Sequence, residues 1–204
     1  MICFNSGCSF TTSDEYVSDD KMYWYLLAKD FGCTSCINQS KSGSSNEEIF
    51  RRVYNHVLEK PNSDVLYFIN LTSTNRIDIT ADETSKMQDI LTKQAVVMYD
   101  YEVRELHLLT QLIGIVSFLD QHKKKFYVVN NSKVLSSSEY PLRDPLVNYL
   151  KTRSELLNVF ENSKYEFHRD VSKIKPRDYE IYGWNGHDSA EGHYAYYQML
   201  KSLI

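Results

Sequence analysis

The feature that most constrains the fold of this chain is a continuous run of apolar residues, Val65-Leu66-Tyr67-Phe68-Ile69. A strand with one solvated face alternates apolar and polar side chains, whereas this run has no polar position. Such runs are typical of a central parallel strand that is covered by helices on both faces. The run therefore predicts an α/β fold.

Other strand and helix patterns alternate with this run along the chain. Further strands are predicted at residues 2–5, 33–38 and 126–129. Apolar residues recur at helical spacing over residues 22–29, 49–57, 102–122 and 190–203. This order predicts a three-layer α/β/α sandwich with a central, mostly parallel sheet of about five strands. In such a sheet, ligands bind at the carboxyl ends of the strands.

The length of 204 residues fits a single domain that spans residues 1–204 and buries one sizeable core. Two stretches do not follow the alternation. Residues 72–100 are polar, and residues 132–180 are interrupted by Pro141, Pro145 and Pro176, with short helices predicted at 147–160. We interpret both stretches as lid or insertion segments.

The charge balance excludes two classes of partner. Lys and Arg number 23 against 27 Asp and Glu, which gives a net charge of -4, and the longest basic tract is Lys123-Lys124-Lys125. Binding to a phosphate backbone requires a positive stripe, so nucleic acid is not expected as a partner. A polybasic signal for an anionic membrane surface is also missing.

The amino terminus and the cysteines indicate a cytoplasmic protein. The first residues have no charged region followed by a long apolar region, so no signal peptide is expected, and the apolar run of residues 112–119 is too short to span a membrane. The four cysteines, Cys3, Cys8, Cys33 and Cys36, include one CxxC pair. The other two lack the spacing of a zinc site. We predict small buried thiols of the first two strands, with no metal and no cofactor.

One candidate for chemistry follows the first strand, in Gly7-Cys8-Ser9-Phe10-Thr11. The turn after the first strand of a parallel sheet presents its side chains and amides at the functional edge. Gly7 permits a tight backbone there. By position alone, Ser9 is either a nucleophile or a simple turn serine.

Three further polar segments occupy corresponding places. One follows the second strand, one follows the third strand and one precedes the last helix: Ser42-Gly43-Ser44-Ser45-Asn46, Asn70-Leu71-Thr72-Ser73-Thr74-Asn75-Arg76 and Gly186-His187-Asp188-Ser189-Ala190-Glu191-Gly192-His193. Gly43 lets a backbone amide approach a tetrahedral intermediate closely. An imidazole such as that of His187 can take a serine proton at neutral pH and return it to a leaving group.

These four segments, in this order, resemble the sequence blocks of SGNH/GDSL hydrolases, particularly a GCSFT-type branch found among phage and bacterial proteins. The resemblance implies a flavodoxin-like α/β/α sandwich. It also implies that Ser9 is the nucleophile, that His187 is the general base and that the Gly43 amide donates to the oxyanion. Thr72 stands where most of the superfamily has an oxyanion-binding asparagine, and Asn75 is a possible substitute.

The last block departs from the family pattern at the third catalytic position. The family has a carboxylate two or three residues before its histidine, and this chain has Asn185 and Trp184 there. An asparagine can orient a histidine, but it does not stabilise the imidazolium by charge. Either Asn185 orients His187 weakly, or a carboxylate such as Asp188 or Asp178 takes this role, or turnover is slow.

Three residues of the blocks have secondary roles. Asn46 either caps the following helix or braces its loop. Arg76 either binds a substrate anion or pairs with an acidic neighbour. His193 is expected to be a helix residue near the site and not a second base.

Two functions follow from the resemblance. The first is a serine esterase that cleaves small acyl esters, often acetyl groups on carbohydrates, so that the partner is a small-molecule or glycan ester. The second is a catalytically weak relative that keeps the fold for binding, and the missing carboxylate and Thr72 motivate it.

Overall fold

The computed structural model describes residues 1–14, 16–73, 101–131, 144–160, 163–183 and 186–204. Its strands are β1 (Ile2–Ser6), β2 (Ser35–Asn38), β3 (Val65–Leu71), β4 (Lys125–Asn130) and β5 (Leu156–Leu157). Its α-helices are α1 (Tyr23–Asp30), α2 (Asn46–Glu59), α3 (Tyr101–Gln121), α4 (Asp144–Lys151), α5 (Lys164–Phe167), α6 (Tyr179–Tyr182) and α7 (Ala190–Lys201). Short 3-10 helices at Ser9–Thr11 and Asp19–Lys21 and a π-helical turn at His168–Ser172 complete the described elements.

The strands form one parallel sheet in the order β2-β1-β3-β4-β5. In register, Ile2 lies opposite Ser35 of β2 and opposite Val65 of β3. Because all strands run the same way, their carboxyl ends meet at one edge, which we call the carboxyl edge. The predicted α/β sandwich with about five strands is confirmed.

The burial of β3 explains its unbroken apolar sequence. All seven of its residues are buried. Tyr67 and Ile69 belong to the core that packs under α2, α3 and α4, whereas Leu66 and Phe68 belong to the core that packs under α1 and α7. A strand covered on both faces has no solvated position, so no polar alternation is left in its sequence.

The prediction for residues 147–160 was wrong in part. The helix α4 ends at Lys151, and Leu156 and Leu157 then form β5, which pairs with β4. A two-residue strand is too short to show a period in the sequence. Of the predicted lid or insertion segments, residues 74–100, 132–143 and 161–162 lie outside the described residues.

The cysteines and the helices bear on two further predictions. All four thiols are free: Cys3 is buried in β1 and Cys36 is half-buried in β2, whereas Cys8 and Cys33 lie outside the strands. Within the described ranges, no helix combines the length and the apolar character needed to cross a membrane.

Candidate active site

The turn that carries Ser9 is closed by its own hydrogen bonds. After β1, Ser9–Thr11 form a single 3-10 turn. The Cys8 carbonyl accepts hydrogen bonds from the Thr11 amide at 3.0 Å, the Thr11 hydroxyl at 3.1 Å and the Thr12 hydroxyl at 3.0 Å. Ser9 itself is half-buried at the carboxyl edge. The turn is therefore rigid, while Ser9 remains in reach of solvent.

Gly7 is required by the close packing of this turn. A Cβ atom at Gly7 would lie 2.1 Å from Thr11 Oγ1 and 3.0 Å from Asn70 Cβ. Real Cβ contacts are essentially never below 3.0 Å, and these neighbours are themselves bonded into the site. Any larger residue at position 7 would displace the turn that holds Ser9.

The loop that carries Gly43 is bonded to the turn that carries Ser9. The Gly7 carbonyl accepts from the Lys41 amide at 3.2 Å and from Arg52 Nη1 at 3.2 Å. Gly43 has a φ of +81°, in the left-handed region, and open space lies where its Cβ would be. A glycine is favoured here by its backbone angle.

Asn46 braces the third loop. Its Nδ2 donates to the Thr72 carbonyl at 3.0 Å, and its Oδ1 accepts from the Thr72 amide at 2.9 Å. The helix α2 is capped by Ser45, whose Oγ accepts from the Glu48 amide. Of the two roles expected for Asn46, the structure thus shows the brace. The Thr72 hydroxyl is buried, and it has no hydrogen-bond partner within the described part of the chain.

A row of asparagines connects the ends of β2, β1 and β3, from which the three loops of the site leave. Asn5 Nδ2 donates to Asn38 Oδ1 at 3.0 Å and to Ser40 Oγ at 2.9 Å. Asn70 Nδ2 donates to Asn5 Oδ1 at 2.7 Å, and the Tyr23 hydroxyl donates to Asn70 Oδ1 at 2.5 Å. This asparagine row crosses β2, β1 and β3 and holds the ends of these strands in fixed relation.

His187 is paired with a carboxylate. Its Nδ1 lies 2.9 Å from Asp178 Oδ2, and its backbone amide donates to Asp178 Oδ1 at 2.5 Å. Although burial pushes the pKa of Asp178 upward, these hydrogen bonds hold that pKa below its usual range. An ionised Asp178 accepts a hydrogen bond from the N–H at Nδ1 of His187. The other ring nitrogen, Nε2, then carries a lone pair and can accept a proton.

Gly186 makes this pairing sterically possible. A Cβ at position 186 would lie 2.1 Å from Asp178 Oδ1 and 3.0 Å from Pro176 Cβ. The glycine therefore leaves the space that the Asp178 carboxylate fills. Gly186 precedes His187 by one residue, as Gly7 precedes Ser9 by two.

The residue after Ser9 brings the two parts of the candidate site together. The ring of Phe10 packs against the imidazole of His187, with 5.4 Å between ring centres. Because Phe10 follows Ser9 directly, this contact places His187 beside the turn that carries Ser9. The His187 side chain is 34% exposed, so a ligand can reach it.

Asp188, the other carboxylate considered from the sequence, is engaged elsewhere. Its Oδ2 lies 3.0 Å from Lys164 Nζ and 3.3 Å from His168 Nε2, and all three side chains are buried. His193 lies in α7, where burial first of all lowers its pKa to about 3. His193 is a buried residue of this helix, in the place expected for it.

Three residues predicted from the sequence, Asn75, Arg76 and Asn185, lie outside the described residues. Asp178 was one of two carboxylates considered for the third position, and it precedes His187 by nine residues, where spacing gives no signal. Arg52 was not predicted at all. Within the described ranges, no group of three or more His, Cys, Asp or Glu residues could hold a metal ion.

No protein-family model matches the sequence, and no curated protein matches it significantly. Solved structures do match. A serine variant of the acetylxylan esterase Axe2 from Geobacillus stearothermophilus has a TM-score of 0.54 at 14% identity, over 99% of this chain and 93% of that chain. The esterase EstA from Pseudoalteromonas sp., inhibited by monoethylphosphonate, has a TM-score of 0.53 at 10% identity, over 100% and 96%.

A third match is a member of the lipolytic G-D-S-L family from Veillonella parvula, with a TM-score of 0.51 at 13% identity over 99% of this chain and 94% of that chain. At identities this low, the matches show a shared fold and no more. The chain has the SGNH/GDSL hydrolase fold, which confirms the resemblance at this level. The phage or bacterial branch stays a prediction.

Proposed function

We propose that this chain is a serine ester hydrolase with Ser9 as nucleophile, His187 as general base and Asp178 as the orienting carboxylate. The observation that carries the proposal is the 2.9 Å contact between His187 Nδ1 and Asp178 Oδ2. It supplies the carboxylate that the sequence lacks next to the histidine. It also removes the main motive for a catalytically weak binding protein.

In the first half of the reaction, His187 Nε2 takes the proton from Ser9 Oγ while Oγ attacks the ester carbonyl carbon. The negative charge of Asp178 stabilises the imidazolium that forms. Collapse of the tetrahedral intermediate breaks the bond to the alcohol oxygen, and His187 returns the proton to this leaving group. The product is an acyl-enzyme on Ser9 and a free alcohol.

In the second half, His187 takes a proton from water, whose oxygen attacks the acyl carbon. The intermediate then expels Ser9 Oγ, which recovers its proton from His187, and the carboxylic acid leaves. We assign the oxyanion to the amides of Ser9 and Gly43, with the Thr72 hydroxyl as a further donor. The buried Thr72 hydroxyl without a described partner is compatible with this assignment.

For the substrate we propose a small acyl ester, with acetyl groups on carbohydrate as the first class to test. The fold shared with an acetylxylan esterase is the reason to begin there.

A phosphonate probe tests the nucleophile directly, because it forms a stable bond with an activated serine. The wild type should be labelled by a fluorophosphonate, and peptide mapping should place the label on Ser9. Ser9→Ala should lose both the label and the hydrolysis of p-nitrophenyl acetate. Ser13→Ala is the matched control, since this serine is also half-buried and lies four residues further on.

The proposal fails if the wild type is neither labelled nor active on p-nitrophenyl acetate, butyrate or acetylated xylo-oligosaccharides. Label on another serine would refute the role of Ser9 while leaving a hydrolase. Acetate release from the oligosaccharide at a kcat/KM above that for p-nitrophenyl acetate would support the carbohydrate substrate.

A further inference from the structure

Arg177 connects the base to the loop that follows the nucleophile. Its Nη1 donates to Asp14 Oδ1 at 3.1 Å and to Asp14 Oδ2 at 2.9 Å. The same guanidinium lies over the ring of Tyr16, 4.4 Å from the ring centre. We call these three residues, Asp14, Tyr16 and Arg177, the arginine strap.

The Asp14 end of the strap is fixed to the core. Asp14 Oδ1 accepts from the amides of Tyr16 and Val17, both at 2.9 Å, and the Asp14 amide donates to the Val17 carbonyl at 3.1 Å. The Val17 side chain is buried in the core under α1 and α7. The Asp14 carboxylate therefore has a defined position relative to the nucleophile turn.

The other end of the strap holds the base. The Arg177 amide donates to the His187 carbonyl at 2.8 Å, and Arg177 precedes Asp178, which binds the His187 ring. Arg177, Asp178 and His187 thus form a closed unit through main chain and side chain together. The Arg177 side chain links this unit to Asp14.

We propose that the arginine strap sets the separation between Ser9 Oγ and His187 Nε2, so that Arg177 is a positioning residue. The inference rests on the proposed function. The ring contact of Phe10 with His187 is weakly directional and does not fix the imidazole to a fraction of an ångström. Proton transfer needs heavy atoms about 2.6–3.2 Å apart. The strap adds hydrogen bonds of defined direction to this contact.

The size of the two expected effects differs. The paired side chains are 25% and 38% exposed, so the ion pair adds little to stability. A shift of about 1 Å in a reacting group can lower a rate by about 100-fold. Loss of the strap should therefore lower kcat while leaving the fold intact.

The chain contains a similar arginine–carboxylate pair away from the site, whose arginine, Arg153, also contacts Glu155 at 3.2 Å. Arg153 donates to both carboxylate oxygens of Asp120, at 2.7 and 2.9 Å, and its guanidinium lies 6.0 Å from the ring centre of Phe126. Arg153 precedes β5 and Asp120 lies before β4, which places this pair at the edge of the sheet opposite the site. It shares the chemistry of the strap and not its place.

The experiment compares Arg177→Gln with Arg153→Gln in the full chain. With p-nitrophenyl acetate, Arg177→Gln should lower kcat by about 10-fold or more, with KM changed less than about twofold and the labelling of Ser9 slowed by a similar factor. Arg153→Gln should leave kcat and labelling unchanged. The melting temperature of either variant should lie within about 3 °C of the wild type.

Two variants make the test independent of folding. Asp14→Asn keeps the oxygen that accepts from the Tyr16 and Val17 amides but removes the charge, and it should show the same loss of kcat. Arg177→Lys should recover part of it. If Arg177→Gln and Asp14→Asn both behave like Arg153→Gln, the strap is refuted while the hydrolase stands. A wild type without labelling or turnover refutes the proposed function and, with it, the strap.

Discussion

The two halves of the candidate site are built in different ways. The nucleophile half comprises residues 6–12, 38–46 and 70–72, which follow three adjacent strands and are joined by the asparagine row. The base half comprises residues 173–183 and 186–189, where the described regular structure is the four-residue helix α6. Amides and hydroxyls, together with the Arg52 guanidinium, hold the first half, whereas carboxylates and cations hold the second.

Because of this difference, the loops of the nucleophile half are fixed by the sheet, whereas the base half is aligned with them by side-chain contacts. In the nucleophile half, each loop is fixed by the end of a strand. The Gly7 carbonyl, for example, accepts hydrogen bonds from both the Lys41 amide and Arg52 Nη1. In the base half, Asp178 and His187 are fixed to each other, and the arginine strap relates them to the rest. Catalysis should therefore be more sensitive than stability to changes in the base half.

The largest expected effect in the base half is that of Asp178→Asn. Asp178 Oδ1 accepts from the His187 amide, so the Asn oxygen would take this place and the amide NH2 would face His187 Nδ1. The imidazole would then carry its proton on Nε2 and could not accept one from Ser9. We expect kcat to fall on the order of 10⁴-fold with little change in KM.

Asn185→Asp is the matched comparison for this prediction. If Asp178 is the orienting carboxylate, a new carboxylate at position 185 should leave kcat at pH 7 unchanged. A gain in Asn185→Asp together with a small effect of Asp178→Asn would instead give the orienting role to position 185. Steady-state kinetics on p-nitrophenyl acetate distinguish the two.

The next largest effect is a loss of stability in acid, which originates in α7. Burial lowers the pKa of His193 to about 3, against its ordinary 6.5. Since the unfolded chain binds this proton more tightly, the stability is complete above about pH 6.5 and is lost as pH falls from there toward 3. The free energy of unfolding should drop by about 2 kcal/mol between pH 7 and pH 4.5 through this residue.

Urea denaturation at several pH values checks this prediction. His193→Gln should flatten the dependence, whereas His107→Gln, which alters an exposed histidine of α3, should not. Asp188 has a pKa held below its ordinary 3.8, chiefly by Lys164 against the effect of burial, so its own contribution is lost only in stronger acid. An equally steep dependence in His193→Gln would show that a group other than His193 causes the loss of stability.

The nucleophile half was the more predictable part of the site for the same physical reason. Strands that are buried on both faces show continuous apolar runs, so the sequence located β1 and β3 and the turns after them. Ser9, Gly43 and Thr72 then follow from the parallel sheet and from the resemblance. The brace formed by Asn46 was one of two roles expected for it.

The base half could be predicted only in outline. The cap of α7 at Ser189 indicates where His187 lies, but the Asp178 contact depends on a turn that brings residue 178 back to residue 187. Irregular backbone has no period in the sequence. The contact between Asp178 and His187, nine residues apart in such a segment, therefore leaves no sequence pattern. The strap spans 163 positions between Asp14 and Arg177, so it is visible only in three dimensions.

Two glycines allow the comparison to be tested at equal steric overlap. In Gly7→Ala the new Cβ would lie 2.1 Å from Thr11 Oγ1, and in Gly186→Ala it would lie 2.1 Å from Asp178 Oδ1. Thr11 and the neighbouring Asn70 are bonded into the nucleophile half, so they cannot move without breaking several contacts. We expect Gly7→Ala to lower the free energy of unfolding by about 2 kcal/mol.

Gly186→Ala should behave differently, because Asp178 Oδ1 is the end of a side chain that can rotate away. The rotation releases both contacts with His187, so kcat should fall toward that of Asp178→Asn while the free energy of unfolding drops by less than about 1 kcal/mol. Urea denaturation and kcat measured on both variants decide the matter. If Gly186→Ala is less stable than Gly7→Ala, the base half is fixed to the rest of the fold at least as firmly as the nucleophile half. The position of His187 would then depend less on the arginine strap.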